Sequence, residues 1–150
     1  MSIWWSLHLR REAASVPLAR RLLSGAMDTA GVDADTAFDL SLALTEACAN
    51  AVEHGGGGGT SDTKAGKYRV TVRLDGERCR VEVADSGPGF PALRGRAPRR
   101  QRLEAEDGRG LGIITELADH AQFRNRTGRG GAVVSFDKIV KWRTDAPLLV

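Results

Sequence analysis

The sequence predicts an α+β chain: a two-layer α/β sandwich whose sheet is mixed but mainly antiparallel, with three helices on one face. Three observations predict it. Short runs of alternating apolar residues are joined by hairpin signals, the pattern of neighbouring antiparallel strands. Three other stretches repeat their apolar residues at helical spacing. The order reads strand, helix, helix, strand, strand, loop, helix, strand, strand, which lacks the regular alternation of a doubly wound fold. With 150 residues, 41% of them hydrophobic, the chain can build one well-filled core, so residues 1–150 form a single domain.

The elements follow in order. Ile3 to Leu9 alternates and reads as the first strand, placing Trp4 and Trp5 on opposite faces, one in the core and the other exposed at a dimer edge, since unpaired edge strands attract partners. Ser15 is the expected N-cap of a first helix, with Pro17 in its first turn; the helix runs to about Ala30 and Gly31 stops it. Asp33 caps a second helix that lasts until Gly55. The glycine run from Gly55 to Gly59, continued by Thr60, Ser61 and Asp62, is a flexible loop. Tyr68–Leu74 and Cys79–Ala84 are strands with period 2, joined by a hairpin turn at Asp75-Gly76-Glu77. Residues 91–107 have no period and are rich in Arg and Pro, as expected of a lid. A third helix opens at Gly108 and reaches about His120; strands at Ala121–Arg126 and Ala132–Val140 end the fold. The tail from Lys141 carries no signal, and no internal repeat is present.

Composition narrows the function. The net charge is +3 and the pI about 9.2, with six arginines between Arg94 and Arg109; these lack the interleaved aromatics of a nucleic-acid surface. Cys48 and Cys79 fall in a helix and a strand without metal-ligand spacing, which argues against a disulfide framework or zinc site and fits a reducing compartment. No apolar run approaches the ~20 residues that span a bilayer, and the N-terminus lacks a signal-peptide plan. The expectation is a soluble cytoplasmic domain. His8, His54 and His120 share no ligand spacing, and His54 reads as a helix-end residue. Arg20 and Arg21 read as a solvated helix face, or else as a partner contact.

Glu46 and Asn50 stand out within the second helix. They lie four residues apart on one face of a helix that looks apolar around most of its circumference. Burying both without partners would cost on the order of a few kcal/mol each. They either cap neighbouring backbone or face a ligand. Two glycine motifs can be discarded. A P-loop ending at Gly66-Lys67 would need Gly where Ser61 stands and Ser or Thr where Tyr68 stands; a GxGxxG starting at Gly108 would need Gly at Ile113 and a preceding strand.

Three pieces remain, in order: Glu46-x-x-x-Asn50 on a helix, Asp85-x-Gly87-x-Gly89 after a strand, and Gly108-x-Gly110-Leu111-Gly112 opening a helix. Together they resemble the N, G1 and G2 boxes of the GHKL ATPase superfamily, the Bergerat nucleotide-binding fold, over roughly Ser15 to Phe136. Within it the chain is most similar to the small stand-alone anti-sigma serine/threonine kinases of bacteria. Their first helix resembles Ser15-Val-Pro-Leu-Ala-Arg-Arg-Leu-Leu, and their N box resembles Glu46-Ala-x-x-Asn50-Ala-x-x-His54.

The resemblance implies the following. ATP and Mg2+ are the cofactors. Glu46 is the catalytic base and Asn50 the metal ligand. Asp85 reads the adenine amine, with Gly87 and Gly89 allowing close approach. Gly108, Arg109, Gly110, Leu111 and Gly112 cradle phosphate, Arg109 either pairing with the terminal phosphate or remaining a solvated lid residue. The chain would phosphorylate a serine on a STAS-type anti-anti-sigma protein, alternately hold a sigma factor inactive, and form a homodimer, with no direct contact to nucleic acid or membrane. Elementary chemistry is compatible: Mg2+ keeps waters and phosphate oxygens and needs few protein ligands, and helix N-termini favour phosphate. The family often carries a Thr near the start of the last strand, where this chain reads Gly131-Ala132-Val133-Val134-Ser135. A non-catalytic, ATP-responsive binding module and a structural interaction domain are the other readings of the same boxes.

Overall fold

A computed structural model of the chain describes residues 2–54, 66–87, 89–90, 109–126 and 130–146. Its elements are β1 (Ile3–Arg10), α1 (Ser15–Ala30), α2 (Ala34–His54), β2 (Lys67–Leu74), β3 (Arg78–Asp85), α3 (Arg109–Leu117), β4 (His120–Asn125) and β5 (Ala132–Ile139). Gly108 and the expected lid at residues 91–107 lie outside the described residues, as does most of the glycine run. The third helix ends at Leu117, so His120 opens β4 instead of closing the helix.

The five strands order as β1-β2-β3-β5-β4. Every pairing is antiparallel, which resolves the expectation of a mainly antiparallel or mixed sheet. β3 and β4 do run the same way, connected through α3, but β5 lies between them and bonds to both.

Period-2 alternation decides which face is covered. Tyr68, Val70, Val72 and Leu74 of β2 and Cys79, Val81 and Val83 of β3 are buried toward the helices. In α1, Ala19, Leu23, Met27 and Ala30 recur every three or four residues and are buried. α2 lies between α1 and α3 and also packs on β3 and β5.

Local signals act largely as read. Gly31 closes α1, its N–H reaching the carbonyls of Met27 and Asp28. Asp33 Oδ2 accepts the N–H groups of Asp35 and Thr36, and Asp75 Oδ1 accepts those of Glu77 and Arg78 at 2.8 Å each. Those two donors hold the Asp75 carboxyl below its ordinary pKa. Trp4 is exposed and Trp5 packs against the core. Among the described residues, no helix is long and apolar enough to cross a membrane.

Two local expectations are corrected. Ser15 does not cap α1; Ala14 occupies the N-cap with helical dihedrals and no side-chain bond. The preceding turn already supplies helical geometry, and the buried Ser15 hydroxyl bonds Glu12 O and the Tyr68 hydroxyl. The tail is also structural. The Lys141 carbonyl accepts Asp33 N–H, the Arg143 N–H bonds Gly31 O, and Trp142 Nε1 donates to Gly76 O at 2.9 Å. Residues 141–143 thus strap the α1–α2 junction to the β2–β3 hairpin.

Candidate active site

Asp85 ends β3 beneath the helix layer and is 5% exposed. Its Oδ1 accepts the N–H of Gly87 at 2.9 Å and that of Ala132 at 3.1 Å. Burial pushes the carboxyl pKa up; the two N–H donors, and then Arg11 and Arg126, pull the other way. One carboxylate oxygen therefore holds the turn to the start of β5. The other has no hydrogen-bond partner among the described residues.

The turn is closed by residues far away in sequence. The Asn125 side chain brackets Phe90: its Oδ1 accepts Phe90 N–H at 2.6 Å and its Nδ2 donates to Phe90 O at 3.2 Å. Phe90 itself is buried, its ring edge-on to Phe123. Gly89 has φ +84, and a Cβ there would lie 2.6 Å from Asn125 Oδ1. Gly131 has φ +113, and a Cβ there would overlap the Asp85 carbonyl oxygen. Both positions require glycine for backbone reasons that hold without any ligand. Asn125 and Gly131 are the positioning residues that sequence reasoning missed. The available signal was a polar residue closing a strand before a glycine-rich turn, which reads as an ordinary turn.

Glu46 and Asn50 present the opposite condition. Both are half-buried, not buried as the apolar pattern predicts. Neither forms a hydrogen bond or ion pair with any described residue, so neither caps the neighbouring backbone there. Ala47, Cys48 and Ala51, which point inward, are buried. The helix edge stays open because so much of its apolar content is alanine, too short to shield its neighbours.

α3 begins at Arg109, and no acidic residue in its first turn offsets the positive end of its dipole. Leu111 is 3% exposed and anchors this turn in the core. Gly112 is exposed, and a Cβ there would meet nothing within 4 Å among the described residues, whose packing gives no reason for glycine at that position. α2 packs against both β3 and α3, so the elements bearing the three motifs adjoin.

Other chemistries are narrowed. Cys48 and Cys79 are buried thiols pushed up to about 12 by desolvation, hence protonated and poor nucleophiles at neutral pH. His54 is exposed at the end of α2, 3.6 Å from the Glu53 carboxylate. Among the described residues no group of three His, Cys, Asp or Glu side chains can hold a metal. A divalent ion here would take most of its ligands from phosphate and water, and the unengaged Asn50 carboxamide suits that donor set.

The family model of the histidine kinase-like ATPase domain matches residues 9–138. The chain belongs to that family. Among curated proteins it is 30% identical over 124 residues to the serine-protein kinase RsbW of Bacillus subtilis, covering 75% of this chain and 72% of the relative. It is likewise 30% identical over 128 residues to RsbW of Bacillus velezensis, covering 78% and 75%. Solved structures share the fold. The RsbU and RsbW domains of Rv1364c from Mycobacterium tuberculosis superpose with TM-score 0.63 at 22% identity, over 91% of this chain and 33% of that one. A chain of the SiaB–SiaC complex from Pseudomonas aeruginosa gives TM-score 0.55 at 12% identity, over 90% and 89%.

Proposed function

We propose that this chain is an anti-sigma serine-protein kinase that transfers the terminal phosphoryl group of ATP to a serine of a STAS-type anti-anti-sigma protein, and alternately sequesters a sigma factor. The observation that carries the reading is the unengaged Glu46–Asn50 pair on α2, the helix that packs against both the Asp85 strand and α3. Family membership and the RsbW relatives support it.

Each residue then has a task. Asp85 accepts the adenine exocyclic amine on the carboxylate oxygen left open by its turn, and the bonds from Gly87 and Ala132 fix that oxygen's direction. Asn50 holds Mg2+, which when bound neutralises charge on the phosphate oxygens. The glycine motif from Gly108 through Gly112, which includes Arg109 at the start of α3, cradles the phosphates through backbone N–H groups. Glu46, one turn before Asn50, accepts the proton of the incoming serine hydroxyl. The serine oxygen forms a bond to the γ-phosphorus, the bond to the bridging oxygen breaks, and ADP leaves. A cytoplasmic homodimer is the state in which we expect the chain to work.

The test is phosphotransfer from Mg·ATP to a STAS partner encoded beside this chain, with a thermal shift measured in parallel. Ligand at ~100 times its Kd stabilises by about 2.7 kcal/mol. A shift accompanied by transfer supports the kinase. A shift with no transfer to any partner leaves a non-catalytic ATP-responsive module, and no shift at millimolar ATP overturns nucleotide binding itself.

A further inference from the structure

All three helices pack on one face of the sheet; among the described residues no helix covers the other. The strand registers place side chains there in rows. One row crosses all five strands as Trp4, Arg73, Arg80, Asp137 and His120. A second holds His8, Arg69 and, at its far end, Arg124. Arg10 and Lys67 extend the face at one end and Arg78 at the other. Glu82 and Asp137 are the carboxylates within these rows, and Asp75 in the β2–β3 turn acts on Arg73 and Arg78 from the end of the face. The excess on this face exceeds the +3 of the whole chain, which leaves the remainder of the protein net acidic.

Glu82 and Asp137 are already engaged. Asp137 lies 2.9 Å from His120 and 3.3 Å from Arg78, with Arg80 at 3.9 Å, and Glu82 lies 4.0 Å from Arg124. Arg69 and Arg73 have no ion-pair partner among the described residues. Arg73 stands directly opposite Arg80 across the β2–β3 ladder, an arrangement of like charges that destabilises a sheet. Beside it, Trp4 is 68% exposed. Charge and apolar area are thus held together, at a cost to folding, on a face that the core does not use.

We propose that this open sheet face docks an acidic segment of a protein partner, its carboxylates set against Arg73, Arg80 and Arg69 and its apolar part against Trp4. A second copy of the chain is the wrong occupant, because two such faces repel. Nucleic acid is a poorer fit: Trp4 is the only aromatic in these rows, and Asp137 and Glu82 interrupt a phosphate track. The inference goes beyond the kinase reading, since the surface is independent of the nucleotide motifs.

The experiment titrates a fluorescent Glu-rich peptide against the full chain without nucleotide. Binding should saturate and weaken at least ~10-fold in the Arg73→Glu, Arg80→Glu double variant, a loss of about 1.4 kcal/mol. The same charge change on α1, Arg20→Glu with Arg21→Glu, should alter it less than about twofold, because rim charges act locally once screened. Circular dichroism reports folding, and Arg69→Glu, expected to weaken binding in the same direction, stands in if the double variant misfolds. Equal losses from the sheet and helix variants would overturn the proposal by reducing it to net charge. So would a single-stranded oligonucleotide of matched charge binding more tightly than the peptide, or a dimer in sedimentation that Arg73→Glu abolishes.

Discussion

The two polar centres of the proposed site are built in opposite ways. Asp85 is buried, and one of its oxygens is tied to Gly87 and Ala132, inside a turn that Asn125 and two positive-φ glycines hold shut. Glu46 and Asn50 sit half-buried on a helix edge with no partner among the described residues. The first is organised at the expense of folding free energy, and its turn is held in shape without ligand. The second costs little to fold, and in the proposed function it is completed by what binds. Substitutions should therefore damage stability at one centre and function at the other.

The largest expected effect is at Gly131. Alanine there must adopt φ +113 and overlap the Asp85 carbonyl, which should destabilise the fold by about 3 kcal/mol or more. Chemical denaturation measures it; a loss below about 1 kcal/mol would mean that the turn is not tightly held. Asn125→Ala comes next. It strips both hydrogen bonds from the buried Phe90 backbone and should cost about 1–3 kcal/mol, with ATP affinity falling because the Asp85 turn loosens. Preserved affinity would show that the turn stays shaped without its bracket.

Asp85→Asn separates stability from recognition. The raised pKa means that the folded protein holds this proton more tightly than the unfolded chain does. The resulting stabilisation is full below the unfolded value of 3.8 and is lost as pH rises through the folded pKa. Asparagine keeps an acceptor for both N–H groups and avoids a buried charge. The variant should therefore match or slightly exceed wild-type stability at pH 7 and show a flatter pH profile, while binding ATP more weakly. Unchanged affinity would remove Asp85 from the adenine site. The smallest stability effect belongs to Asn50→Ala, within about 0.5 kcal/mol, because no described bond is lost; its ATP binding should become far less dependent on Mg2+.

The same contrast explains what the sequence could disclose. Strands β2 and β3, the Gly31 stop, the Asp33 cap and the Asp75 turn all depend on neighbours within a few residues, and each was legible. The three motifs were legible as types and spacings. The Asn125–Phe90 bracket spans 35 residues and has no period, so nothing local announces it. The exposure of Glu46 and Asn50 was misjudged because hydrophobic pattern counts alanine as apolar without registering how little it covers. Ser15 looked like a cap because capping is a local rule, but the Tyr68 hydroxyl, 53 residues away, claimed it.

The most direct measurement compares wild type with Glu46→Ala, reading Mg·ATP affinity and phosphotransfer to the STAS partner on the same preparations. A general base contributes ~10²–10⁴-fold to rate, and Glu46 makes no described bond that folding would miss. The variant should melt and bind ATP like wild type while its transfer rate falls by at least ~100-fold. Transfer that survives Glu46→Ala undiminished would contradict the assignment of the base, and with it the division of the proposed site into a centre built for folding and a centre reserved for chemistry.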